Sequence, residues 1–395
     1  MTKKSVLRLK RDAAFKELQC REPGVYADWA APEYHTDEAY SASTGRNLIV
    51  GPTYCWQNRW GQIERPSTDA QIEGTAYHTR ILEGPEVFAK RYPMPPSRAD
   101  YPEAIDGGRE FTQALGELGL KKSGTIAEQM QRLRDAGSEF KGKFWSDIMD
   151  RWRADHPGAM KLSPELIAKI ELAAQICAMH PDIGEVWKVG KPEVSICYLS
   201  ASGMPCRVRM DWLRPGEIID LKTIANQMKN PMNVQAARTI VGEFYHVQAF
   251  NYVEALEQAL LMPADMWHGF TAGEVAAHKA TREEQGRPAD FRFLFIGKAA
   301  PDIVQRILAE EVPIDFAQWP DGREVQDVPR EPSEVWRSAR NIHEHVTARF
   351  AHFWKLYGRK PWYDRAGAIG LTNSHPGIST AALSRESELE EFNHG

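Results

Sequence analysis

The chain has 395 residues, 42% of them hydrophobic, with 49 Lys and Arg against 54 Asp and Glu and a formal net charge of −5. At about 150 residues per domain this reads as roughly two to three domains, or one large domain with insertions, and the apolar content excludes a largely disordered chain. The negative balance gives no sign of nucleic-acid binding by itself but leaves room for a local basic groove.

The five cysteines, Cys20, Cys55, Cys177, Cys197 and Cys206, form no C-x-x-C pair. Neither a zinc ribbon nor a disulfide framework is expected, and the chain reads as reduced and cytoplasmic. The basic start Met1–Arg11 is followed by no apolar stretch and does not read as a secretory signal. No run of about 18 apolar residues is present, so no membrane span is expected.

Taken in order, residues 1–24 read as a short charged helical extension, while 22–66 are rich in aromatic and turn residues without a clear period. Residues 70–91 carry a helical apolar stripe, broken by Tyr92-Pro-Met-Pro-Pro-Ser-Arg98. From about 110 to 180 the pattern is helical. Its clearest start is Ser163-Pro164-Glu165, a capping hydroxyl followed by Pro at the first helical position. Leu166, Ile167, Ile170, Ala173, Ala174 and Cys177 then form one apolar face. Strands are expected over 193–199, 206–213 and 217–223, a helix over 243–261, a strand over Phe291–Ile296 and a helix over 332–357. The polar stretch 365–395 is expected to be disordered.

The segment from Pro205 to Thr223 carries the chemistry. A hairpin turning at Pro215-Gly216 pairs residue 214 with 217 and brings Asp211 opposite Asp220, with Cβ atoms about 4.5–5.5 Å apart. Two carboxylates that close need a cation between them, and oxygen donors suit a hard divalent ion such as Mg²⁺. Strand alternation puts Asp220 and Lys222 on one face, so an amine stands beside the proposed ion. The register is the condition. Pro-Gly favours a type II turn rather than the primed turns of two-residue hairpins, and a slip of one residue would send one acid to the other face. Asp-x-Lys alone is unspecific, since Glu139-Phe-Lys141 repeats it in a helical stretch, and an ordinary salt-bridged hairpin is the competing reading. Arg207 and Arg209 share the face of Asp211, where they would grip phosphates, balance the acids or form surface ion pairs. Gln248 and Tyr252, four apart, share one helix face.

These residues resemble the PD-(D/E)XK nucleases. Asp211 and Asp220-Leu-Lys222, with Glu193 upstream, match the core motif. Gly74-Thr-Ala-Tyr-His78 is similar to the G-x-x-x-H motif of the RecB-like branch, and Gln248-Ala-Phe-Asn-Tyr252 to its Q-x-x-x-Y motif. The segments Tyr34–Ser43, Gly74–Phe88 and Phe291–Lys298 resemble the RecE-type exonucleases (exodeoxyribonuclease VIII-like), over roughly 25–300.

The resemblance implies an α/β fold with a restriction-endonuclease-like core, a mixed sheet with a catalytic antiparallel hairpin, and flanking helices. The nuclease domain would span 25–300 with a helical insertion over about 93–190, followed by a helical C-terminal segment over 301–364. It implies Mg²⁺, replaceable by Mn²⁺, held by Asp211, Asp220 and the backbone carbonyl of Leu221, with His78 and Glu193 completing the surroundings. Lys222 would position and help deprotonate the attacking water, and Gln248 and Tyr252 would contact DNA or orient the lysine. The implied activity is digestion of one strand of linear duplex DNA from the 5′ end. The 3′ overhang would pass to a single-strand annealing recombinase, and the enzyme would work as a homo-oligomeric ring. No Cys follows Cys206, which argues against a four-Cys iron–sulfur cluster. No G-x-x-x-x-G-K-[ST] occurs, so no nucleotide cofactor is expected. A structure-specific or restriction-type endonuclease, a catalytically silent DNA-binding protein and a hydrolase of small phosphoesters are the rival readings.

Overall fold

Bulky and β-branched residues on both sides of Pro215-Gly216 build the hairpin at the centre of the structure. The computed structural model describes residues 14–61, 67–160, 162–225, 232–286, 289–298, 304–308 and 334–362. The strands are β1 (Gly24–Tyr26), β2 (Ala104–Ile105), β3 (Lys143–Phe144), β4 (Lys191–Leu199), β5 (Pro205–Arg214), β6 (Glu217–Ile224), β7 (Trp267–His268), β8 (Asp290–Gly297) and β9 (Val304–Leu308). The chain divides into two compact units, Met1–His78 with Ala173–Gly395, and Thr79–Leu172.

In the first unit the sheet runs β7-β1-β4-β5-β6-β8-β9. β4–β5 and β5–β6 are antiparallel, whereas β6 and β8 are parallel. The expected mixed α/β architecture with an antiparallel hairpin is therefore present. Arg214 pairs with Glu217 and Trp212 with Ile219, the register read from the sequence. Gly216, at φ 77, takes the positive dihedral of a type II turn, and a Cβ there would meet Thr281 and Gln285 side-chain atoms at 2.6–2.7 Å. Pro-Gly therefore holds a two-residue hairpin without a primed turn.

Four helices matter for the site: α1 (Ala42–Val50), α2 (Asp69–His78), α3 (Tyr245–Leu260) and α4 (Glu334–Tyr357). Small residues on α3, Ala249, Ala255 and Ala259, are fully buried in the same cluster as Val194, Ile196 and Val208 of the sheet. Their size lets the helix lie close to the strands. Phe291, Phe293 and Phe295 of β8 join this core, as do Val346, Phe350 and Phe353 of α4.

Residues beyond 300 differ from expectation. Val304–Leu308 is a strand that extends the sheet on β8, and α4 shares the main core instead of forming a separate helical segment. The apolar side chains of α4 are buried in the main core, with Phe350 and Phe353 against Trp362 and Trp354 against Trp60, which is why it joins the unit. The stretch 365–395 and most of 1–24 lie outside the described residues; within the latter, 14–18 are helical.

The second unit, Thr79–Leu172, begins and ends earlier than the expected insertion and is not wholly helical. Its core is Phe111, Leu115, Leu133 and Phe144, and it includes the two-stranded β2–β3 sheet. The helix Ile126–Asp135 starts on a capping box of Thr125 and Glu128. The expected helix over 70–91 is interrupted. α2 stops at His78, Thr79–Glu83 is a π-helical turn, and a new helix starts at Pro85 after Gly84 at φ 94. Pro85 has no N–H to continue the ladder, so the chain must restart there.

Two core histidines set an acid limit on stability. Burial pushes both His246 and His278 down to about 4. The unfolded chain takes up their protons below about 6.5 and the folded chain does not, so stability falls as pH drops from 6.5 towards 4. Each histidine contributes about 1.3 kcal/mol of this loss between pH 7.5 and 5.5, and protonation of Asp220 near 6 in the folded chain offsets about 0.8 kcal/mol, so urea unfolding at the two pH values is expected to differ by about 2 kcal/mol, and by about 1.3 kcal/mol less in His278→Gln. Equal stability at the two pH values would contradict the neutral, buried state of these rings.

Candidate metal centre

β5 and β6 pair only next to the turn. Their ladder ends at Trp212 and Ile219, and beyond it β5 is bridged by Tyr40, whose N–H and C=O bond Pro205 and Arg207. The hairpin therefore forks, and Asp211 and Asp220 stand at the fork. Asp211 Oδ2 accepts the N–H of Leu221 at 2.7 Å, taking the place of a ladder bond. A strand residue's N–H and C=O point to the same side, so the Leu221 carbonyl also faces the fork.

Asp220 is 1% exposed. Its Oδ1 accepts from Gln248 Nε2 at 2.8 Å, and its Oδ2 pairs with the Lys222 ammonium. His78, the last residue of α2, places Nδ1 3.6 Å from Asp211 Oδ2. At the start of α2's last two turns, Glu73 bonds Lys298 at the end of β8 at 2.9 Å, which ties the helix to the sheet. Tyr252 is buried on α3, with its ring 5.9 Å from Phe291.

The electrostatics follow from this crowding. Burial pushes the Asp220 carboxyl up to about 6, with Lys222 opposing and the charge of Asp211 adding. Burial also raises Asp211, against Lys222 and the Leu221 N–H. For Lys222, burial works to lower the pKa, but Asp220, Asp211 and Tyr245 outweigh it and the net shift is upward. Two carboxylates face one ammonium in a buried fork, so negative charge is left over.

That surplus fits a divalent cation. Mg²⁺ is commonly held by one or two carboxylates, with waters and substrate oxygens filling the rest of its shell. Asp211 and Asp220 would hold it, with the Leu221 carbonyl and His78 adjacent. Among the described residues no three His, Cys, Asp or Glu side chains stand together as a ready cage.

Glu193 sits on β4, beside the strand of Asp211. In register it opposes Asp211, but the ladder steps from Pro192–Trp212 to Val194–Met210. Its φ is +53, a left-handed conformation rare for a non-glycine residue inside a strand. The carboxylate stands 3.9 Å from Arg209 Nε.

Arg207 and Arg209 do share the face of Asp211, yet both are committed inside the protein. Arg207 donates to the carbonyls of Tyr34, His35 and Ala39 and lies 3.8 Å from Asp37. Arg209 donates to Ser195 Oγ and the Trp29 carbonyl. Both guanidinium groups stack on the ring of Tyr34, at 4.4 and 4.1 Å. Buried in this way, they brace the wall of the site rather than present charge to a phosphate.

One neighbour escaped the sequence reading. Tyr245 places its ring 4.8 Å from the Lys222 ammonium. It lies three residues before Gln248 on the same helix face, a spacing that was readable. The Tyr34–arginine stack had no sequence signal, because it depends on how the segment before α1 crosses β5.

No helix among the described residues is long and apolar enough to cross a membrane. No curated protein matches the chain. A solved structure titled as a "Putative exonuclease" from Eubacterium rectale is 12% identical, with a TM-score of 0.39, covering 81% of this chain and 85% of that one. Residues 124–267, which contain β4, β5, β6 and α3, match the model of a family described as a PDDEXK-like domain of unknown function (DUF3799).

Proposed function

We propose that the chain is a divalent-metal-dependent DNA nuclease that acts as an exonuclease on linear duplex. The observation that carries the reading is the fork: a buried aspartate, Asp220, and a partly exposed one, Asp211, on adjacent strands with a lysine ammonium against the first of them. The match of residues 124–267 to a PDDEXK-like domain supports it. Digestion from the 5′ end, a recombinase partner, a ring of subunits and a cytoplasmic setting rest on the RecE-type resemblance alone.

A bound Mg²⁺ or Mn²⁺ would polarise the scissile phosphate and lower the pKa of its water. The chain's own residues prepare that step. The Leu221 N–H and His78 orient Asp211, and Gln248 orients Asp220. Lys222, held as an ammonium by its ion pair, would orient the attacking water through the water's lone pair and stabilise charge building on the phosphate. Taking the water's proton would need the neutral amine, which the same ion pair disfavours.

The test is digestion of end-labelled linear duplex and of covalently closed circular DNA, with Mg²⁺ or with chelator. The expected result is Mg²⁺-dependent loss of the linear 5′ label with the closed circle intact. Cutting of the circle would show an endonuclease, and no cleavage of either with Mg²⁺ or Mn²⁺ would overturn the nuclease reading.

A further inference from the structure

α3 lays one stripe over the Asp220–Lys222 strand. Gln248 bonds Asp220. Tyr252, one turn further on, is buried beside it. Tyr245, one turn earlier, covers Lys222. Residues spaced i, i+3 and i+7 share a helix face, so the three form a single surface.

The way α3 begins is built around Tyr245. The residue before it, Phe244, caps the helix in a left-handed conformation, φ 56 and ψ 28, without a side-chain capping bond. A non-glycine residue rarely takes that backbone. Phe244 and His246 on either side are both buried, with rings 6.0 Å apart. Tyr245, between them, is turned the other way, over the lysine. Behind its ring lies Phe293 of β8 at 6.3 Å. Phe293 is the register partner of Asp220 and is itself fully buried. The tyrosine ring is thus fixed from below, with its face towards the ammonium.

We infer that Tyr245 is a positioning residue, whose ring face holds the Lys222 ammonium at the carboxylate fork. The inference rests on the nuclease reading for its consequence. A cation in the fork would draw Asp220 to itself and weaken the ion pair that now holds Lys222. The ring face attracts the ammonium through its quadrupole and offers no lone pair in the fork, so its hold does not compete with the cation. A four-carbon lysine stem has many rotamers, and losing that hold lets the ammonium wander. The ring, not the hydroxyl, supplies this attraction, so phenylalanine should replace tyrosine and an aliphatic residue should not.

The experiment compares wild type with Tyr245→Phe, Tyr245→Leu and Tyr245→Met in the full chain. The two aliphatic variants serve as alternates should one fail to fold, as judged by thermal unfolding. In metal-free protein, the ε-methylene protons of Lys222, assigned with Lys222→Arg, are expected upfield of other lysines through the ring current. That shift should persist in Tyr245→Phe and vanish in the aliphatic variants. In Mg²⁺-dependent digestion of linear duplex, the aliphatic variants should lose about tenfold in kcat with KM within about twofold, and Tyr245→Phe should stay within about threefold. Loss of the shift or of kcat in Tyr245→Phe, or an unchanged kcat in the folded aliphatic variants, would overturn the inference. A wild type that cuts no DNA would overturn the nuclease reading, while the ring-current measurement would still decide whether Tyr245 places Lys222.

Discussion

Lys222→Ala is expected to lower Mg²⁺-dependent DNA hydrolysis by about 10²–10³-fold while leaving the affinity for the metal equal or higher. The size follows from the loss of a positioned charge at the reacting phosphate, an effect on the order of 2.7–4 kcal/mol in the transition state. The direction for metal follows from charge. The ammonium pairs with Asp220 and bears on Asp211, so it competes with a cation for both. Removing it leaves the two carboxylates with only the His78 ring beside them in place of a full ammonium charge. Asp220→Asn is expected to lose both metal binding and hydrolysis, because it removes a ligand and one of the two charges. Titration calorimetry with Mn²⁺ and single-turnover digestion separate the two outcomes. Lys222→Ala protein that cuts DNA as wild type does would remove the lysine from the mechanism, and loss of metal binding in Lys222→Ala would reverse the charge argument.

Arg207→Ala is expected to destabilise the protein by about 3–5 kcal/mol, the cost of stripping the partner from a buried charged network. The guanidinium serves three backbone carbonyls, at Tyr34, His35 and Ala39, and stands beside Asp37. Alanine supplies no donor to any of them and leaves a space under the Tyr34 ring. At Arg214, half exposed on the hairpin and 3.8 Å from Glu217, alanine should cost less than about 1 kcal/mol. Denaturant unfolding of the two variants provides the comparison. A stable Arg207→Ala protein with weakened DNA binding would instead restore the phosphate-gripping role that strand alternation alone allows.

The hairpin was legible because its information is local. Turn chemistry at Pro215-Gly216, two-residue alternation and the positions of Asp211, Asp220 and Lys222 together specify which side chains share a face. The observed register agrees with that expectation as far as Trp212–Ile219, and the ladder ends one pair short of Asp211 and Asp220. The helix at Tyr245–Leu260 and the strand at Asp290–Gly297 were readable for the same reason, from period and composition over one segment. At Glu193 the register facing Asp211 was readable by alternation and the ladder keeps it, but the positive φ at that one residue was not, since nothing in the neighbouring sequence requires it. The short strand Val304–Leu308 was also hidden, since five residues show little period and the segment is a strand because β8 has an open edge.

By itself, then, the sequence determined which acids and which amine could meet, since turn type and strand period act within about twenty residues. Only the tertiary structure decided what surrounds them. The ladder ends at Trp212–Ile219, and Tyr40, far upstream, takes the edge of β5 that β6 leaves. The arginines on the aspartate face turn inward because the Tyr34 ring and backbone carbonyls from another segment receive them. Burial, which raises both carboxyl groups and leaves the fork short of positive charge, belongs to the packed layers and not to any one strand.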